Sequence, residues 1–435
     1  MVMRLVARLA CVFSAAAGLV APPALSSRRG RGALAAPITA PISEKLQEVA
    51  EPAARALAAS YEAAELATSR TAYVRTSATS GPALVLVHGF DSSAMEFRRL
   101  LPELEDAGVR AFAYDVVGWG LSEPRAGVTV EAKRRQLAEF VKDVVEGDAI
   151  LVGASLGAAV CVDALASAAE DLDAVSGVAL LDPQCMIDGA PPVPDFAARL
   201  GVRVLRSWPL RALANRIAYF DKSLGTEDAI RVGLLHCERP GWEDDAVAWV
   251  NGGGYSVSAK VRPALSERRA LVLWGDNDEI LPPGDNVPKF AEALKPGDPL
   301  RFVTDCGHVP HLEQPAVTAK LLAAFASGED ADLARTPGTT DARGGGGGAN
   351  ADAFDWTDVS KEPLGDDRAA YRVAKIANAR EQDVVVRFDA PITIAGILFF
   401  VPLFLGDTFF AISRSFICTS KDLALADLCR PPVSL

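Results

Sequence analysis

An α/β architecture, a mostly parallel sheet covered by helices, follows from three features of this chain. Six short apolar runs, ALVLVH (83–88), RAFAY (110–114), AILVG (149–153), GVALLD (177–182), ALVLW (270–274) and LRFVT (300–304), punctuate the sequence. Continuous apolar runs predict strands buried on both faces, the signature of parallel pairing. Between them, stretches such as 129–147 and 156–171 repeat apolar residues at three- and four-residue spacing, which predicts helices laid on the sheet. Half of the 435 residues are apolar and 23% are charged, enough for one large core with appendages.

In chain order, residues 1–43 carry five arginines and no acidic residue, with an apolar stretch from Leu9 to Ala21 and a Ser/Pro/Arg segment at 24–32. This pattern predicts a targeting segment, a signal peptide, a transit peptide or both in series. Both in series would suit a plastid reached through the secretory pathway; the secretory pathway itself is the alternative, and a low-complexity tail the bland one. The formal net charge of −12 excludes nucleic acid as a partner, because phosphate contacts need a basic surface. The seven cysteines include no CxxC pair and no metal-ligand spacing, so a reduced compartment and no structural zinc are expected.

The main domain is expected over 70–326. The stretch between Asp182 and Ala270 is far longer than an ordinary crossover and predicts an inserted helical lid at about 186–268. A Gly-rich segment, 327–352, with consecutive glycines at 344–348, is expected to be a flexible linker. The C-terminal segment 353–435 contains a candidate membrane-associated stretch at 392–412. Its unbroken apolar part, Ile392 to Leu405, is shorter than the ~20 residues of a spanning helix. Extension to Ile412 brings in Pro402, Gly406 and Asp407, and a carboxylate at bilayer depth costs roughly 3 kcal/mol at the centre. A monotopic or hairpin anchor is expected, with an apolar element docked on protein as the alternative.

VGASLGA (152–158) sets Ser155 in a G-x-S-x-G frame between an expected strand and an expected helix. That context is what a nucleophile elbow needs, a tight turn that lifts the hydroxyl above the sheet. A serine hydroxyl requires a base, and the chain has four histidines. His88 ends a strand in His-Gly-Phe and is expected to shape a loop; His236 lies in the lid. In CGHVPHLEQP (306–315), His308 follows Gly307 at a loop and is the expected general base, while His311 can cap or pack. The third member must hold the imidazole tautomer. Asp278, in LVLWGDNDEILP (271–282), has the spacing of the usual loop acid; Asp276 and Glu279 are expected to be turn or surface groups, and Asp182 is a reserve. The chain order Ser155, Asp278, His308 is that of a hydrolase elbow enzyme. The backbone N–H groups of Phe90 and Leu156 are the expected oxyanion donors. The GxG in YDVVGWGLSEP (114–124) lacks the helix-opening glycine and acidic partner of a dinucleotide site. Neither metal nor organic cofactor is expected.

Together LVLVHGF, YDVVGWGLSEP, VGASLGA, WGDNDEILP and CGHVPHLEQP resemble the α/β-hydrolase superfamily across residues 70–326. The resemblance implies the α/β-hydrolase fold, into which the helical lid is inserted; the separate C-terminal apolar segment in 353–435 is not part of that family's pattern and is this chain's own. The resemblance also implies a serine hydrolase that cleaves a carboxylic ester through an acyl-enzyme. The lid segment 218–255 is similar to the plant and algal plastid branch that includes chlorophyll dephytylase. That similarity implies a small lipophilic ester substrate, such as the phytyl ester of chlorophyll, and a membrane setting. Other Ser-triad chemistry, such as carbon–carbon bond hydrolysis, cofactor-free haloperoxidation or lipolysis, is the enzymatic alternative. A membrane-tethered, inactive binding protein is the non-enzymatic one.

Overall fold

The computed structural model describes residues 40–125, 127–167, 169–189, 194–329 and 339–341. Its strands are β1 Glu62–Glu65, β2 Ser69–Arg75, β3 Ala83–Val87, β4 Ala111–Tyr114, β5 Glu123–Pro124, β6 Ala149–Ala154, β7 Val175–Leu181, β8 Arg269–Gly275, β9 Leu300–Val303 and β10 Thr339–Asp341. They form one sheet in the order β1-β2-β4-β3-β6-β7-β8-β9-β10, with β5 beside β2. The middle six, β4-β3-β6-β7-β8-β9, are mutually parallel, and they are the six apolar runs of the sequence. Antiparallel pairing is confined to the edges, where β1, β2 and β5 sit on one side and β10 on the other.

The side-chain alternation of a strand explains why these runs are apolar throughout. In β3, Ala83, Val85 and Val87 face one helix layer while Leu84 and Leu86 face the other. In β6, Leu151 joins the first layer and Ile150, Val152 and Ala154 the second. Each buried Val or Leu contributes roughly 1.5–3 kcal/mol, so a polar residue at either parity is costly.

The helix Leu156–Ser167 is buried from Leu156 to Leu165, and its small residues let it lie close to the sheet. A Cβ on Gly157 would collide with the Val87 and His88 carbonyls, and one on Gly153 with the backbone of Ala158. Both glycines of the G-x-S-x-G frame are therefore fixed by backbone approach. The helix Val130–Phe140, capped by the Thr129 hydroxyl accepting from Ala132 N–H at 3.0 Å, packs beside it.

Two expected boundaries differ from the structure. Ordered packing starts before residue 70 and reaches into the expected targeting segment 1–43. The helices Ala40–Gln47 and Pro52–Ala59 bury Ile42, Ala54 and Leu57, and the turn between them Val49, in the second core layer, where Ala72 and Val74 of β2 leave apolar surface to be covered. Within 327–352, expected as linker, Thr339–Asp341 pairs with β9, satisfying an edge whose N–H and C=O groups need partners. The rest of 1–43 and of 327–352, and all of 353–435 including 392–412, lie outside the described residues. Among the described residues, no helix is long and apolar enough to cross a membrane.

Gly157→Ala is expected to lower stability by about 1–3 kcal/mol, since the added methyl forces backbone atoms apart. Thermal unfolding of the variant beside the wild type measures this, and an unchanged midpoint would contradict the packing described.

Candidate active site

Parallel strands end on the same side of a sheet, and there the chemistry-bearing residues collect. Ser155 follows β6, Asp278 lies three residues past β8, and His308 lies in the loop after β9. Ser155 occupies the left-handed region at φ +49°. The turn is held by its N–H donating to Leu181 O at 2.9 Å and its carbonyl accepting from Ala158 and Gln184 N–H at 3.1 and 3.0 Å. A non-glycine residue in this conformation is strained and persists only where its surroundings over-determine it.

The structure brings the three sequence-predicted residues into one chain of contacts. His308 Nε2 is 3.0 Å from Ser155 Oγ, and His308 Nδ1 is 2.7 Å from Asp278 Oδ2. The other Asp278 oxygen accepts from Ile280 and Leu281 N–H at 2.7 and 2.9 Å, which fixes the carboxylate plane. With Nδ1–H donated to Asp278, Nε2 is the lone-pair nitrogen that faces the hydroxyl, the tautomer a general base needs.

The remaining candidates are sorted by position. His88 is fully buried, its Nε2 accepting from Val116 N–H at 3.0 Å; burial pushes the imidazole down to about 4, so it is a neutral loop-shaping residue. His311 Nε2 sits 3.0 Å from Glu96 Oε1. Asp276 accepts from Cys306 N–H at 3.2 Å and Glu279 pairs with Lys222 at 3.0 Å, a turn and a surface role. Asp182, the reserve acid, lies in the same cluster as Asp278 and His308 and accepts from Gly275 N–H at 2.8 Å. Burial and the adjacent Asp278 carboxylate push Asp182 well above the usual range.

The loop carrying Phe90 lies directly on the elbow: a Cβ built on Gly89 would be 3.4 Å from Ser155 Cβ. Leu156 opens the helix that follows the serine, where N–H groups and the helix dipole favour negative charge. Sequence reasoning missed Glu96, which supports this loop by accepting from Gly89 N–H at 3.0 Å while facing His311. Burial works to raise the Glu96 carboxyl, but pairing with His311 outweighs it and holds it down to about 2. A buried, helix-proximal Glu six residues after His-Gly-Phe is a recognisable cue only once the loop's path is known.

Ser155, Asp278 and His308 are 8%, 3% and 5% exposed. The lid inserted between β7 and β8 carries the helices Asp195–Arg206, Trp208–Ala218, Glu227–Leu234 and Trp242–Asn251. The lid is tied to the histidine loop. Ala218 O accepts His308 N–H at 2.7 Å, and Glu313 accepts from Gly307, Phe220 and Asp221 N–H at 2.7, 3.0 and 2.5 Å. Phe90 packs on a row of core aromatics that runs from Trp119, edge-on to Phe90 at 5.5 Å, through Trp249 at 5.0 Å to Tyr255 at 5.3 Å. Lys133 Nζ lies 3.8 Å over Trp119, and burial pushes its amine well below the usual range.

Comparison with known proteins places this arrangement. Residues 84–321 match the model of the "Alpha/beta hydrolase family". The chain is 38% identical over 252 residues to the Arabidopsis thaliana "Alpha/beta hydrolase domain-containing protein VTE7", covering 57% of this chain and 74% of that one. It is 24% identical to the Bacillus subtilis "AB hydrolase superfamily protein YfhM" over 56% of this chain and 89% of that one. Among solved structures, a "membrane phospholipase A" described as a bacterial virulence factor aligns at TM-score 0.51 and 21% identity, covering 66% of this chain and 92% of that one. A thermophilic esterase from Thermogutta terrifontis aligns at 0.50 and 23%, covering 61% and 98%. At these identities the two structures show the fold alone.

Because Glu96 titrates lower in the folded chain than the ordinary 4.5, its ionised form stabilises the fold above about pH 4.5, and that contribution is lost as pH falls toward about 2. Glu96→Gln is expected to be less stable than the wild type near neutrality, by on the order of 3 kcal/mol. The difference should shrink between about pH 4.5 and 2. Denaturant unfolding at a series of pH values checks this; a pH-independent difference would contradict it.

Proposed function

Because the chain belongs to the alpha/beta hydrolase family, we propose that it is a serine hydrolase cleaving a carboxylic ester through an acyl-enzyme, with Ser155 as nucleophile, His308 as general base and Asp278 as its orienting acid. The observation that carries this is the single imidazole within hydrogen-bond reach of both an elbow hydroxyl and a buried carboxylate. His308 Nε2 takes the Ser155 proton as Oγ attacks the ester carbonyl. The imidazolium is stabilised by Asp278, the alcohol leaves with the proton returned from Nε2, and water then cleaves the acyl-enzyme along the same path. Negative charge on the tetrahedral oxygen falls to the Phe90 and Leu156 N–H groups.

The substrate we propose is lipophilic, an isoprenoid ester of the phytyl type being the favoured case. Two features support it: the apolar aromatic cluster of Trp119, Trp249 and Tyr255 on which Phe90, in the loop next to the elbow, packs, and a nucleophile that is itself buried. The Arg-containing, acid-free residues 1–43 support a plastid setting.

The test is the purified full chain offered chlorophyll a, aryl esters and triacylglycerol, with Ser155→Ala beside it. Ester turnover is expected to fall at least about a thousandfold in Ser155→Ala and by a similar factor in His308→Ala, with a smaller loss in Asp278→Asn. Near-wild-type turnover by Ser155→Ala would refute the mechanism. Cleavage of aryl esters with no release of phytol would refute the substrate and leave the mechanism standing.

A further inference from the structure

Asp91, next to Phe90 in the loop over the elbow, takes no part in the proton relay, yet three separate pieces of the lid converge on it. From the helix Trp208–Ala218, Arg211 Nη2 forms an ion pair with one carboxylate oxygen, and Arg211 Nη1 donates to the Asp91 carbonyl at 3.3 Å. From the turn Leu235–Glu238, His236 Nε2 stands 3.0 Å from the other oxygen. Trp242, the first residue of the helix Trp242–Asn251, donates its Nε1–H to that oxygen at 3.0 Å. Asp91 is 2% exposed and sits at φ +46°, an uncommon conformation for a non-glycine residue that needs outside support to persist.

Asp91, His236 and Cys237 have the donor set of a divalent-metal site. Arg211 already fills the cation position, however, pairing with Asp91 and lying 3.8 Å from Cys237 Sγ, and Trp242 N–H occupies the same carboxylate. Burial works against the charge on Asp91, but Arg211, His236 and Trp242 hold its carboxyl well below the usual carboxylate range. The cluster is thus a closed hydrogen-bonded ion pair between body and lid.

We propose that Asp91 is a positioning residue: gripped by Arg211, His236 and Trp242, it lets the closed lid set the loop 88–91 so that the Phe90 N–H stands over Ser155 as an oxyanion donor. The inference rests on the serine-hydrolase reading above. Lid closure and assembly of the oxyanion site become one event, since the lid residues Arg211, His236 and Trp242 fix the residue beside the donor. Loosening the clamp costs transition-state stabilisation, while ground-state binding of a small ester, which does not depend on the oxyanion contact, stays the same.

The test compares Asp91→Asn, Arg211→Met and their double variant with the wild type on a short-chain aryl ester, together with the inhibition constant of a trifluoromethyl ketone, whose hemiketal oxyanion mimics the tetrahedral intermediate. Asp91→Asn is expected to lower kcat about ten- to a hundredfold, below the hundred- to thousandfold cost of deleting an oxyanion donor outright, with KM changed less than about threefold. The inhibition constant is expected to rise in step with the loss of kcat/KM. The double variant is expected to lose no more than the worse single one, because both break the same clamp. If Asp91→Asn does not fold, Trp242→Phe carries the test: it keeps an aromatic, if smaller, ring and removes one donor to Asp91, with an expected severalfold fall in kcat at unchanged KM. Unchanged kcat in a folded variant, or a loss in kcat with no change in ketone affinity, would overturn the proposal. Retention of turnover by Ser155→Ala would instead overturn the reading beneath it.

Discussion

The structure depends on one constraint: the His308 ring must touch a hydroxyl and a carboxylate at once, at 3.0 and 2.7 Å. An imidazole is small and rigid, so its two nitrogens fix where Ser155 and Asp278 can be. The fold meets the constraint through parallelism. Six adjacent parallel strands end on one side, and the residues just past β3, β6, β8 and β9 therefore reach a common volume although long stretches of chain separate them, as is general for open α/β sheets. The glycines at 153 and 157 are the local cost of bringing the following helix against the strand ends.

The lid is more than a cover. It is fastened to the histidine loop through Ala218 and Glu313 and to the loop over the elbow through Asp91. Two of the loops that make up the site are thus held by the same inserted segment. The lid contacts support the positive-φ Asp91, whereas the positive-φ Ser155 near it is held by Leu181, Ala158 and Gln184.

What the sequence disclosed follows physical range. The six core strands were legible because burial on both faces writes itself as an unbroken apolar run, and Ser155 because a tight strand-to-helix turn demands small neighbours at fixed offsets. The edges were not: β1 reads Glu-Ala-Ala-Glu and β2 Ser-Arg-Thr-Ala-Tyr-Val-Arg, half-polar strands whose burial depends on the helices at 40–59. β10 is three residues in a Gly- and Thr-rich stretch, and its pairing is decided by the exposed edge of β9. His308 over His311 could be argued from Gly307 before it, whereas Glu96 and the Asp91 clamp could not. Their partners lie far along the chain, and a lone acid in a loop has no local signature of what will close over it.

The central claim, that Ser155 is made nucleophilic by His308, is tested most directly by fluorophosphonate labelling with the modified peptide located by mass spectrometry. The account predicts one phosphonyl adduct on Ser155 in the wild type, none there in Ser155→Ala, and a rate slowed at least about a hundredfold in His308→Ala. Folded wild-type protein that takes up no label at Ser155, or a His308→Ala variant that labels as fast as the wild type, would contradict it.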